Sequence, residues 1–179
     1  MKKSIVIACL LLTASLAIAA APLSRMSEFV PGSRGTVLLF VSSMCPCTDQ
    51  HKHEVRRLDA KTRSRGINYY CIFSNISEND GRIGQFFKNV AWDMPYVLDT
   101  EGTLAKKYGA THTPHAVLLD AAVKPIYRGP IDDSSKNLGR IEHAYLRDHV
   151  NLLLEAGTFP FEEVPALGCW LVTKSDINQ

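Results

Sequence analysis

Thr36-Val37-Leu38-Leu39-Phe40-Val41-Ser42-Ser43-Met44-Cys45-Pro46-Cys47 is the stretch on which the reading of this chain turns. Its first half is an unbroken apolar run of strand length, the pattern of a strand covered on both faces. Ser42-Ser43-Met44 leads out of it. The charged segment from Thr48 to Arg65, with Val55 and Leu58 as apolar markers, reads as an exposed helix ended by Gly66. Pro46 suits the first turn of that helix, where a missing N–H is no loss. Two cysteines one residue apart thus stand where a buried strand passes into a helix. Unpaired N–H groups at a helix start favour an anion by about 0.3–1 kcal/mol, and the thiolate is the reactive form of cysteine. Cys45 is therefore the candidate nucleophile and Cys47 the nearest resolving thiol. A disulfide across one residue lies at the edge of allowed geometry. Strain makes such a bond more oxidising, so an oxidising poise is expected of this pair.

Upstream, Lys2 and Lys3 precede an apolar run from Ile5 to Ala21 that ends in Ala17-Ile18-Ala19. A basic start, a short apolar stretch and an A-x-A site make residues 1–20 a secretory signal peptide. The expected location is periplasmic or secreted, with no membrane span once the signal is cut. The chain has 5 cysteines. Cleavage removes Cys9 and leaves Cys45, Cys47, Cys71 and Cys169 where disulfides persist; which of them pair stays open. Cys71 lies mid-strand among aromatics and reads as a buried thiol. Cys169 reads as structural, paired with Cys71, or as a mobile resolving cysteine.

Downstream, Ile67–Phe73 reads as a second strand, and Asn79–Val90 as a helix with Ile83, Phe86, Phe87 and Val90 on one face. Pro95–Asp99 is a short strand, Thr103–Tyr108 a short helix stopped by Gly109, and Ala116–Asp120 and Pro125–Arg128 a closing pair of strands. Leu138, Ile141, Tyr145, His149 and Leu152 mark a last helix closed by Gly157. Strands and helices that alternate early imply a parallel sheet, and the close pair near the end adds an antiparallel hairpin. The fold class is α/β, a central mixed sheet flanked by helices. One domain spans 21–157, and a tail over 158–179 is expected to wrap the surface without joining the sheet.

Strand, Phe40-Val41-Ser42-Ser43-Met44-Cys45 and helix together resemble the strand–cysteine–helix of the thioredoxin-like superfamily. Ala110-Thr111-His112-Thr113-Pro114 before an apolar strand ending at Asp120 resembles its cis-proline loop, and Met94–Asp133 is similar to redoxins of the alkyl hydroperoxide reductase and thiol-specific antioxidant group. The resemblance implies a cis peptide before Pro114, with Thr113 beside the cysteines and an edge on which a peptide pairs. It also implies thiol–disulfide exchange, with peroxidase activity as an addition, and needs no cofactor. Thioredoxins carry C-x-x-C, whereas this chain carries C-x-C. A second resemblance, to Sco-type copper-delivery proteins, rests on His112 standing eight residues before Asp120. It implies Cu(I) held by Cys45, Cys47 and His112, two soft sulfurs and an imidazole.

A formal net charge of +2 gives no electrostatic case for nucleic acid. The cluster Arg56, Arg57, Lys61, Arg63 and Arg65 reads as a solvated helix face, and His51 and His53 as surface residues. The expected partners are a protein or small-molecule disulfide or peroxide and a separate redox partner.

Overall fold

The computed structural model describes residues 29–134 and 140–177. The signal peptide and Leu138 lie outside them. The elements run β1 (Gly35–Phe40), α1 (Pro46–Gln50), α2 (Lys52–Thr62), β2 (Ile67–Phe73), α3 (Asp80–Val90), β3 (Tyr96–Leu98), α4 (Thr103–Tyr108), β4 (His112–Thr113), β5 (His115–Asp120), β6 (Pro125–Gly129), α5 (Tyr145–Ala156), β7 (Glu162–Glu163), β8 (Cys169–Trp170) and α6 (Lys174–Ile177).

β1 is buried at every residue because both its faces are covered. Val37 and Leu39 face the layer built by α2, α3 and α5. Leu38 and Phe40 face the opposite layer, where Ala105 and Tyr108 of α4 pack. Each fully buried side chain of this size contributes about 1.5–3 kcal/mol. The sheet has the order β3-β2-β1-β5-β6-β7. β1, β2 and β3 are parallel, β5 runs antiparallel to β1 and β6 antiparallel to β5. The sequence reading of a parallel half closed by a hairpin therefore holds.

Three expectations change. The tail does join the sheet, since β7 pairs parallel with β6, and β8 forms a separate two-stranded antiparallel pair with β4. These strands have two residues each, too short to show any periodicity. The helix after Cys45 is broken at His51, which adopts φ −92°, ψ 0° between α1 and α2. His51 is buried rather than on the surface, and its Nδ1 lies 3.1 Å from Asp132 Oδ1. Burial works against the Asp132 carboxylate, yet the hydrogen bond and charge of His51 hold its pKa below the usual range. The last helix begins only at Tyr145, so Ile141 precedes it. Its buried stripe is Leu146, His149, Val150, Leu153 and Leu154, while Leu152 faces solvent. No helix among the described residues is long and apolar enough to cross a membrane.

Candidate functional site

Two stretches far apart in sequence meet at the C-terminal end of β1. The first is the loop Ser42-Ser43-Met44, which Glu78 holds in shape. Its buried carboxylate accepts from Ser42 Oγ (2.8 Å), Ser43 N (3.0 Å) and Ser43 Oγ (2.6 Å). The loop delivers Cys45 to the position just before α1, where its backbone is extended. The second stretch is β8, clipped to the loop that contains the cis Thr113–Pro114 bond. Thr113 faces Cys169 across this pair.

Cys45 is 8% exposed. Its Sγ lies 3.0 Å from the Thr113 carbonyl, to which the thiol donates, and 2.8 Å from Cys169 Sγ. The sulfurs of Cys45, Cys47 and Cys169 all lie within 4.8 Å of one another. All four described cysteines are free thiols. Burial pushes the Cys45 thiol up, but hydrogen bonds from the side chains of Cys169 and Thr113 and from the backbone N–H groups of Thr48 and Cys169 outweigh it, leaving its pKa below the ordinary value. Thr113 Oγ1 is buried and meets no other acceptor among the described residues, so the sulfur of Cys45 is the group its proton serves. α1 is only five residues long. The anion is therefore steadied by these individual donors more than by a helix dipole.

The neighbouring thiols respond in the opposite sense. Burial and the charge on Cys45 raise Cys47. Burial and the hydrogen bond that Cys169 gives to Cys45 push Cys169 up to about 12. Three sulfurs this close cannot all ionise, because like charges disfavour one another. Within the cluster Cys45 is therefore the first thiol to ionise, and Cys47 and Cys169 are held protonated beside it.

The structure brings Cys45, Cys47, Thr113, Pro114 and Cys169 together and sets Cys71 and His112 apart. Cys71 is fully buried in β2, where burial raises its pKa far above the ordinary thiol value. It is no partner for Cys169. His112 turns to the other face of β4. Its Nδ1 is 2.9 Å from Thr111 Oγ1, and its ring lies 4.3 Å from that of Trp170. It does not belong to the sulfur cluster, which among the described residues contains cysteines alone. The donor set Cys45, Cys47 and His112 is thereby corrected: an imidazole on the outer face of a strand cannot reach sulfurs on its inner face.

Two residues of the site escaped the sequence reading. Glu78 looked like one polar residue among many before a helix. His115 follows the cis-proline, and its Nδ1 accepts from Thr111 N (3.2 Å). Burial lowers its pKa to about 4, so it supports the loop as a neutral ring.

No family model matches the chain, and no curated protein does. Solved structures do. An uncharacterized conserved protein from Geobacillus kaustophilus shares 28% identity over 81% of this chain and 80% of that one, with a TM-score of 0.72. A hypothetical protein of Sinorhizobium meliloti 1021 shares 24% identity over 85% of this chain and 94% of that one, at 0.70. A secreted Mycobacterium tuberculosis disulfide oxidoreductase superposes at 0.50, with 14% identity over 70% of this chain and 83% of that one. The chain has a thioredoxin-like fold. At 24% and 14% identity the second and third likenesses are ones of architecture alone.

Proposed function

We propose that the protein is an exported thiol–disulfide oxidoreductase in which Cys45 attacks and Cys169 resolves. The observation that carries this reading is the pair of sulfurs 2.8 Å apart, one on the β1–α1 loop and the other on β8. The Cys45 thiolate attacks a substrate disulfide, one substrate sulfur leaves as thiolate, and a mixed disulfide forms. Cys169 then loses its proton and attacks Cys45 Sγ, which releases the second substrate sulfur. Two electrons pass from the Cys45–Cys169 dithiol to the substrate. The sequence reading gave the resolving role to Cys47. A C-x-C pair must adopt a strained ring, whereas Cys169 comes from another strand and meets no such constraint. Export rests on the signal-like N-terminus, and the superposed Mycobacterium tuberculosis oxidoreductase is itself secreted. The redoxin resemblance adds hydroperoxide as a second oxidant: its terminal oxygen passes to Cys45 as a sulfenic acid, which Cys169 condenses to a disulfide with loss of water.

The test is to reduce the mature protein, add a disulfide-bonded peptide in one arm and hydrogen peroxide in another, and map the products by mass spectrometry. A Cys45–Cys169 disulfide is expected in the peptide arm. A dithiol left intact by an excess of peptide disulfide would overturn the reading.

Cu(I) binding is a second reading, favoured by one observation: a third sulfur stands within 4.8 Å of the first two. Three thiolate donors suit a soft ion, and the donor set becomes Cys45, Cys47 and Cys169. Titration of the reduced protein with Cu(I) against a chromogenic chelator is expected to show one equivalent bound. Cys169→Ser should weaken binding by more than the roughly tenfold that loss of a mere supporting residue costs, because it removes one of three soft donors, and His112→Ala should leave it unchanged. Equal binding by the wild-type and Cys169→Ser proteins would remove this reading.

A further inference from the structure

The last strand of the chain lies where a peptide partner of Cys45 would have to lie. β8 runs antiparallel to β4, with Thr113 opposite Cys169 and His112 opposite Trp170. Residues opposite one another in an antiparallel pair share a face. Thr113 and Cys169 turn towards Cys45, while His112 and Trp170 turn outwards. Trp170 is 74% exposed, and its ring rests on that of His112. The position before the cysteine is closed to side chains. Gly168 has φ +132°, and a Cβ there would strike the Thr113 carbonyl.

The strap is held mainly by its backbone. Leu171 N donates to Thr111 O (3.0 Å), Ile76 N to Val172 O (2.8 Å) and Val172 N to Asn75 Oδ1 (2.9 Å), Leu171 packs on the core, and just beyond the strap Lys174 N donates to Thr100 O (2.9 Å). A cleft of about 460 Å³ stays open between the strap and α4. A pairing of only two residues at a sheet edge, with Trp170 and Val172 exposed, belongs to the low-stability end of a structure, which opens locally. Around the sulfurs, Met44 and Ile76 are exposed apolar side chains.

We infer that Gly168–Val172 is a built-in occupant of the substrate seat. By the pattern of that occupant, the seat selects an extended peptide segment in which glycine precedes the reacting cysteine and an aromatic residue follows it. His112 is the specificity-determining residue that reads the aromatic ring. The inference rests on the oxidoreductase reading above. Backbone pairing along β4 gives affinity to any extended segment, and the side-chain positions give choice among them. The carbonyl of Thr113 rejects a side chain before the cysteine, and the His112 face rewards a ring after it. The strap also gives the reaction its order. It leaves so that Cys45 can attack the peptide's disulfide, and it returns so that Cys169 can attack Cys45 Sγ. That return releases the peptide as a thiolate and fills the seat in the same movement.

The test uses the mature Cys47→Ser/Cys169→Ser protein, in which Cys45 is the reactive site thiol and the fully buried Cys71 is the other cysteine. Its alkylation by iodoacetamide is compared with that of the same protein carrying Gly168→Ala or, as a milder opening, Trp170→Ala. Gly168→Ala is expected to speed alkylation of Cys45 by about tenfold, the effect of a clash that shifts the strap equilibrium by about 1.4 kcal/mol, and Trp170→Ala by less. The opened protein is then given three peptides activated at cysteine as aryl mixed disulfides: Leu-Gly-Cys-Trp-Leu, Leu-Ala-Cys-Trp-Leu and Leu-Gly-Cys-Ala-Leu. The first is expected to react several-fold faster than the others, and His112→Ala should erase its advantage over the third. Equal rates for the three peptides, or alkylation that neither opening variant accelerates, would overturn the inference while leaving Cys45 reactive. A Cys45 that resists iodoacetamide even in the opened protein would overturn the oxidoreductase reading as well.

Discussion

A Cys45→Ser protein will show no measurable thiol–disulfide exchange, and a Cys169→Ser protein will complete the first half of the reaction and stall. Serine at position 45 has no accessible anion at neutral pH, so the attacking step disappears and the remaining thiols do not replace it. Cys71 is fully buried, and Cys47 and Cys169 both have raised pKa values. With serine at position 169, Cys45 still attacks, but its mixed disulfide waits for a thiol from solution. Losing an intramolecular partner poised at contact distance slows a step by about a hundredfold or more, so the mixed disulfide should accumulate and turnover fall by that factor. Cys47→Ser should have a far smaller effect. The pH profile gives an independent readout. The rate of Cys45 alkylation rises as pH climbs through its pKa, because the thiolate is the nucleophile. Cys169→Ala removes a donor that lowers that pKa, so the midpoint moves up and less thiolate remains at neutral pH. Quenched-flow exchange followed by mass spectrometry checks the first part, and alkylation rates across pH the second. Exchange that persists in Cys45→Ser would end the mechanism. A stall in Cys47→Ser with free turnover in Cys169→Ser would move the resolving role to Cys47.

The unequal legibility of this site has a physical cause. Thr36–Val41 announced a strand because a segment covered on both faces must be apolar at every residue, and β1 does divide its side chains between two packed layers. α3 was readable from Ile83, Phe86, Phe87 and Val90, all buried, together with its start: the Asn79 side chain accepts from Arg82 N. Each of these signals is local. The break at His51 is not, because it depends on a buried contact with Asp132 some eighty residues away. Neither is the place of Cys169, which is fixed by backbone pairing with the cis-proline loop and by a glycine conformation that permits close approach. Pairing of two-residue strands leaves no pattern of apolar positions, so the sequence offered two roles for Cys169 and no means of choosing. The histidine reading failed for a related reason. The Sco-type resemblance, carried by the spacing to Asp120, implied that His112 stands beside the cysteines, but alternation along a strand turned its ring to the opposite face from Thr113.

Asp99→Ala will destabilise the protein by about 3–5 kcal/mol, the sum expected when several buried donors lose a charged acceptor. Asp99 is 8% exposed. It accepts from Ser74 Oγ (2.8 Å), from Leu104 N with both oxygens (3.1 Å each) and from Ala105 N (3.1 Å). The residue at the cap of α4 is Gly102, in the left-handed region and without a side chain to offer. Asp99 therefore satisfies the free N–H groups of the first turn from three residues further back, and its charge suits the positive end of the helix. A six-residue helix does not persist on its own, so α4 depends on this carboxylate. The loss should spread towards the sulfurs. α4 runs into the loop that carries β4, Lys174 N of the strap donates to Thr100 O, and Thr173 packs against Gly102. Urea denaturation should show the lower stability, and hydrogen exchange should show earlier opening of residues 103–113 and of the strap. Cys45 should also alkylate faster, because the segment that covers it has lost its support. Asp99→Asn keeps one carbonyl acceptor but not the charge and should fall between the two. A loss below about 1 kcal/mol for Asp99→Ala, the worth of a single ordinary hydrogen bond, would show that α4 is held by its packing against Val97 and Leu119 and that the carboxylate is incidental.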